Sequence, residues 1–302
     1  MNMVVPQLLL DRLPVELIFN IFNYLTAIEI LHSFYSFSQY LRQCIRKYQQ
    51  YKINFQTIHK HEFDWICNVI HPDQIMTLTL SDSEETPGQM DLFFSCFATF
   101  DQSFTRLKHL RLRNPEEFPN LSQMKCLHTL TIDFKRWAIY SFDYEHIRRY
   151  DKYLANIFRL PTLRTLILNN ESLNIDFNFQ LLPIAEHLHT FQVHLKSIDN
   201  LPFIFKCLPN IKRLSLSLKT RSMDNNFISE LNVPCSLTHL TIKLSHILRD
   251  EIGQIIQACS MLIYLNIHIE RNQTNFHQWL DSDWWPLLID KCLPQLKIFR
   301  LR

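Results

Sequence analysis

Glycine is nearly missing from this chain of 302 residues; only Gly88 and Gly253 occur. Glycine lets backbone approach phosphate closely, so neither a P-loop nor a dinucleotide-binding fingerprint can be written here. The GxSxG nucleophile elbow is absent too. Cysteine is present without motif spacing: the closest two of the eight, Cys44 and Cys67, stand 23 residues apart. With no CxxC pair, a zinc ribbon, zinc finger or thioredoxin-like centre has no footing. Most of the cysteines lie in apolar stretches, where a free thiol acts as a small hydrophobe, so buried thiols in a reducing compartment are expected. An excess of one charge is lacking as well. Lys and Arg total 31 against 29 Asp and Glu, a net charge of +2, which demands neither nucleic acid nor an anionic membrane. The longest uncharged stretch, Ile252 to Ile269, holds Gln254, Gln257, Ser260, Asn266 and His268 and is too polar to span a bilayer. Pro6 and Asp11 break the first apolar run, which has no basic leader, so no signal peptide is expected. These absences together predict a soluble protein of the cytoplasm or nucleus, without cofactor, metal, nucleic-acid or membrane partner.

What is present is ordinary for a folded protein: 47% hydrophobic and 20% charged residues. The length suggests about two domains. Residues 13–50 read as three short helices. Leu13-Pro14 opens the first, since proline suits a first helical position whose N–H would be unpaired anyway. Leu17, Ile18, Ile21, Phe22 and Leu25 follow at helical spacing. Thr26 to Glu29 forms a capping box for the second helix, whose apolar side is Ile30, Leu31 and Phe34. Ser36 to Gln39 reads as another box before Phe37, Tyr40, Leu41, Cys44, Ile45 and Tyr48. Three helices this short cannot close a core alone, so the rest of the chain, a partner, or both must cover their apolar surface.

Leu10 to Arg42, LDRLPVELIFNIFNYLTAIEILHSFYSFSQYLR, resembles the F-box family. Leu13-Pro14, Glu16, the Ile21-Phe22 pair, Leu25 and Ile30-Leu31 carry the resemblance. Phe37-Ser38 stands where many members have Val-Cys, and the third helix lacks their Trp. The resemblance implies docking onto a Skp-type adaptor, and through it a cullin, using Leu13, Pro14, Leu17, Ile18, Ile21, Leu25 and Leu31.

From residue 75 onward one pattern recurs: apolar-x-x-apolar-x-apolar. Its copies begin at Ile75, Leu107, Leu127, Leu163, Leu188, Ile211, Leu237, Leu262 and Leu296. Tyr48, Tyr51 and Ile53 form a degenerate earlier copy. Such repetition predicts a parallel solenoid in which each copy supplies one strand and the residues between return over the outside. Four returns have helical faces: Phe63, Ile66, Cys67 and Ile70; Leu92, Phe93, Cys96, Phe97 and Phe100; Ile147, Tyr150, Leu154 and Phe158; Ile252, Ile255, Ile256 and Cys259. Residues 75–302 resemble the leucine-rich-repeat family. The Asn or Cys that normally ladders its turns is replaced by Ser83, Pro115, Lys135, Glu171, Lys196, Lys219, Ser245 and Glu270. The expected architecture is therefore α/β: a three-helix F-box-like domain over 8–50, then an irregular leucine-rich-repeat solenoid over 51–302, with a parallel concave sheet and helices on the convex side.

Residues flanking the second and third apolar positions should form the concave face. Six of them are Lys or Arg and one is Asp, so that face is locally basic. It suits an acidic or phosphorylated protein segment. His109, Arg111, Arg113, Arg213, Lys243 and Arg300 are the target-binding candidates, the first three expected to dominate. His187, His189 and His194 lack a Cys or carboxylate at ligand spacing and are not expected to bind metal. Trp284-Trp285 is expected to cap the end of the solenoid, with Asp281 and Asp283 as solvated turn residues. No catalytic residue is expected. The chain reads as the substrate-recognition subunit of a Skp–cullin–F-box ubiquitin ligase; the alternative is a protein-binding scaffold with no ubiquitin-ligase role.

Overall fold

In a computed structural model the described residues are 9–97, 99–115, 117–134, 144–169, 177–220, 231–245, 249–270, 279 and 283–302. Lys135, Glu171, Asp281 and the side chain of Ile147 lie outside them. The fold is α/β with parallel strands, and the chain divides into two compact units, residues 1–127 and 128–302.

The first unit opens with α1 (Val15–Phe22), α2 (Ala27–Phe34) and α3 (Gln39–Lys47). Pro14 is the N-cap of α1, one place earlier than expected. The Thr26 box forms: the Thr26 side chain accepts from the Glu29 amide at 3.3 Å, and Glu29 accepts from the Thr26 amide at 2.7 Å. The second box does not. Ser38, not Ser36, caps α3 by accepting from the Leu41 amide at 3.1 Å, and its hydroxyl donates to Asp11 at 2.6 Å. Ile18, Phe22, Ile30, Leu31, Leu41 and Ile45 are buried between the helices.

Strands β1 (Tyr51–Asn54), β2 (Ile75–Ser81) and β3 (His109–Arg113) complete this unit, pairing in parallel with Leu78 opposite Leu110. The degenerate copy at Tyr51 is thus a true strand. Parallel neighbours require long crossovers. Here these carry α4 (Lys60–Val69), α5 (Gln89–Cys96) and α6 (Phe100–Ser103). Phe63, Ile66 and Ile70 turn inward as the spacing predicts. The next crossover departs from expectation. It breaks between α5 and α6; Leu92 and Cys96 are exposed, while Gln89, Met90, Phe93 and Phe100 turn in. Phe93 anchors the break, its ring 4.9 to 6.0 Å from those of Phe55, Phe97, Phe100 and Phe104. Gly88 opens α5 at φ +67°, a left-handed conformation that a side chain would strain.

The helical segment is not a separate body within this unit. Gln74, only 3% exposed, lies just before β2 and donates to the carbonyls of Ile45, Arg46 and Tyr48 at 3.3, 2.9 and 2.7 Å. Those carbonyls end α3, where no further turn of helix can satisfy them. Tyr51 of β1 adds a hydroxyl bond to the Ile45 carbonyl at 2.9 Å. Trp65 of α4 meets the rings of His32 and Tyr35 edge-on at 5.2 and 5.7 Å. These ties join the helices to β1–β3 within the first compact unit, residues 1–127.

The second unit contains β4 (Thr129–Asp133), β5 (Thr165–Asn169), β6 (Thr190–Ser197), β7 (Arg213–Thr220), β8 (His239–Leu244), β9 (Tyr264–Ile269) and β10 (Ile298–Leu301), paired in parallel in chain order. The middle apolar residues align as one row: Leu130, Leu166, Phe191, Leu214, Leu240, Leu265 and Phe299. All are buried except Phe299, which is half-buried on the last strand. The crossovers of this unit carry α7 (Tyr144–Phe158), α8 (Leu201–Cys207), α9 (Arg249–Ala258) and α10 (Trp284–Cys292). Gly253 of α9 lets Trp284 pack closely; its ring would lie 3.2 Å from an added Cβ and would have to shift by a few tenths of an ångström. Trp285 is buried, donates its indole N–H to the Trp279 carbonyl at 2.9 Å and meets the Phe299 ring at a tilt, 5.1 Å between centres.

The Gln74 tie yields a test. Gln74→Leu keeps the apolar volume but strands buried carbonyls at the end of α3, at a cost of about 1–3 kcal/mol. Its thermal midpoint should fall, and amide exchange in residues 39–48 should accelerate more than in β2. Uniform exchange changes across the unit would show that Gln74 is only a packing residue.

Candidate functional site

The residues expected to meet an adaptor do not all face outward. Ile18 and Leu31 are fully buried in the helical core. Leu13, Ile21 and Leu25 are half-buried, and Leu13 also accepts the Tyr40 hydroxyl on its carbonyl at 2.6 Å. Pro14 and Leu17 are exposed, Leu17 by 47%. Two aromatics that the spacing did not single out for contact are exposed nearby in sequence, Tyr24 by 90% and Phe37 by 56%. Helix geometry explains the split. Leu17 and Ile18 are successive residues, about 100° apart around α1, so only one can face α2 and α3.

The candidates for target binding divide between the units. His109 and Arg111 are exposed on β3, and Arg113 is half-buried, its carbonyl accepting from the Asp82 amide at 2.9 Å. In the second unit, the residues alternating with the buried row form an open face with its own rows. Thr129, Thr165, Thr190, Arg213, His239, Tyr264 and Ile298 align in one. Ile167, Gln192, Ser215, Thr241, Asn266 and Arg300 align in the next. Arg213, Arg300 and Lys243 therefore occupy three different rows. Lys243 lies 3.6 Å from Glu270, and Arg300 lies 5.7 Å from the Tyr264 ring centre. A polar bridge crosses the far end of this face: Gln192 donates to Asn169 at 3.0 Å, and Asn169 donates to Asp133 at 2.5 Å.

Only Arg213 of the six candidates lines a depression, of about 240 Å³, on this face. Its polar lining includes Thr190, Gln192, Ser215, His239 and Thr241, and it contains no carboxylate. Tyr264 closes one side, its ring 5.7 Å from that of His239 and nearly parallel to it.

Beside the depression runs a second basic feature, missed in the sequence. The residue after the first apolar position of each repeat is His128, Arg164, His189 and Lys212 on four successive copies. Their backbones are in register: Arg164 N–H donates to the His128 carbonyl at 2.8 Å, His189 to Arg164 at 2.9 Å and Lys212 to His189 at 2.9 Å. His128, Arg164 and Lys212 are exposed and His189 half-buried. The signal was legible as a basic residue at one fixed repeat position, but that position lies outside the alternation used to find the open face.

The histidines record how close these charges are. Burial, then Lys212 and Arg164, depress the His189 imidazole below its ordinary 6.5. Burial, then Arg164 and His189, depress His187, with Glu186 opposing. Burial, then Arg213, depress His239. Among the described residues no group of three His, Cys, Asp or Glu is placed to hold a metal ion. The thiols are less buried than expected: Cys44, Cys207 and Cys259 are buried, but Cys96 and Cys235 are exposed, and all eight are free. Among the described residues no helix is long and apolar enough to cross a membrane.

A pH dependence follows. Below about 6.5 the unfolded chain takes up protons that these folded imidazoles resist, so the unfolded state binds more protons and stability falls with pH. Between about pH 7.5 and 5.5 the thermal midpoint should drop, and His187→Gln with His189→Gln and His239→Gln should flatten the drop. A triple variant that tracks the parent would place the acid sensitivity elsewhere. No protein-family model matches this chain, and no curated protein sequence matches it.

Proposed function

We propose that the chain is the substrate-recognition subunit of a Skp–cullin–F-box-type ubiquitin ligase. The helices of residues 8–50 would act as the F-box and hold the adaptor; the strands and crossovers, read as irregular leucine-rich repeats, would hold the target. The ubiquitin chemistry belongs to other subunits, and this chain contributes proximity and orientation. One observation carries the reading. The core of the three helices is already filled by Ile18, Phe22, Ile30, Leu31 and Leu41, yet Leu17, Tyr24 and Phe37 remain exposed. Apolar side chains left outside a filled core suit helix-in-groove docking onto a partner. The LPxE start at Leu13 and the resemblance of Leu10 to Arg42 give that partner its identity as a Skp-type adaptor.

The second reading, a scaffold without a ligase role, is favoured by the Gln74 tie, because a helical segment fastened to β2 can serve as a cap for the strands. The two readings part on one experiment. Leu17→Asp changes an exposed side chain, so the fold should stay within about 0.5 kcal/mol of the parent. Adaptor co-purification should nevertheless be lost, since a truncated anchor residue costs about 2 kcal/mol or more. Leu13→Ala with Pro14→Ala should act the same way. Full adaptor recovery with both variants, or none with the parent, removes the ligase reading.

A further inference from the structure

We propose that the basic row Arg164–His189–Lys212, with the depression beside it, is an anion-binding strip that holds an extended acidic segment of a partner protein. The inference deepens the substrate-receptor reading and rests on it for the partner's role; the strip itself is argued from geometry.

Three facts converge. First, Arg164, His189 and Lys212 hold one repeat position on three successive copies, hydrogen-bonded backbone to backbone. Adjacent strands lie about 4.8 Å apart, so the backbones that carry the two permanent cations are spaced by roughly 10 Å, with the Arg164 guanidinium also donating to the His187 carbonyl at 2.9 Å. Three residues of extended chain cover about the same length, so anionic groups at i and i+3 of a segment crossing the strands would meet both. Second, Arg213 follows Lys212 directly in sequence and lines the depression with His239. Positive charge thus continues from the row into a concavity whose hydroxyls, from Thr190, Ser215 and Thr241, suit phosphate or carboxylate oxygens. Third, acidic groups are sparse here. No carboxylate lines the depression, Glu186 is the one acting on His187, and Glu270 is engaged with Lys243.

The same features favour a protein segment over nucleic acid. Single strands bind by stacking bases on aromatic rings along a basic track. Of the two phenyl-type rings lining this depression, Phe191 is buried and Tyr264 is already in contact with His239 and Arg300. A volume of about 240 Å³ accommodates one anionic side chain and its stem better than a run of bases.

The anion could be a phosphorylated residue or a carboxylate, and the experiment separates them. Fluorescence anisotropy on the full chain would use three labelled octapeptides: one neutral, one with phosphoserines at i and i+3, one with glutamates there. A single-stranded DNA octamer is the fourth probe. At least one anionic peptide should bind, the neutral one should not, and binding should weaken as salt rises. Arg164→Glu with Lys212→Glu should weaken it by about tenfold or more, since opposed like charges are strongly unfavourable. Arg164→Gln with Lys212→Gln should weaken it in the same direction and serves if the reversed variant fails to fold; Lys60→Glu, at the exposed start of α4, should leave it unchanged. Failure of both anionic peptides, parent-like binding by the variants, or tighter binding of the DNA would overturn the proposal. Adaptor capture by the same preparations is read separately. Its failure with peptide binding intact sinks the receptor reading and spares the strip; the reverse spares the receptor and sinks the strip.

Discussion

Burial of the middle apolar residue of each repeat against its counterpart on the next strand is the interaction on which the second unit depends. Leu130, Leu166, Phe191, Leu214, Leu240 and Leu265 form that row, and strand register follows from it. A slip of one residue would turn every buried side chain to solvent, because side chains alternate along a strand. Repeat lengths can therefore vary widely while the strands stay aligned. The crossovers absorb the difference, and in the first unit large rings do so, with Phe93 set against Phe55, Phe97, Phe100 and Phe104 among others.

The same register creates the chemistry of the open face. Once the inward positions are committed to the core, the alternate positions have no packing duty, and any residue type repeated there becomes a row across strands. Rows of hydroxyls and the Gln192–Asn169–Asp133 bridge arise in this way, and the basic row follows from the same register one residue before each strand begins. Stacking cations at strand spacing is repulsive. Here His189 lies between Arg164 and Lys212, and its imidazole is held toward the neutral form by burial and by those same cations. The row thus separates its two permanent charges with a ring whose protonated form is disfavoured.

The helical segment obeys a different constraint. Its helices are too short to bury all their apolar residues, so each helix has to choose a side. Ile18 and Leu31 go inward and Leu17 stays out. Gln74 then binds the open end of α3, and this bond couples the exposed helical surface to β2. Movement of one should be felt by the other.

Sequence alone determined the places of the strands, because a period of two within a repeated six-residue pattern leaves one way to bury leucines. It also determined the Thr26 cap, which needs only neighbours three residues apart, and the class of the fold. Tertiary structure decided the rest. Which face of α1 turns inward depends on α2 and α3, so Ile18 could not be told from Leu17 by spacing. The break between α5 and α6, which leaves Leu92 and Cys96 outside, depends on how Phe93 seats among rings from other elements. Of the six basic candidates only Arg213 reached the depression, while Arg164 and Lys212, passed over in the alternation, lie beside it. Local periodicity reports which side of a strand a residue occupies. Proximity between strands, and hence the site, is set by backbone register and by the turn that begins each strand, and neither is encoded in any single repeat.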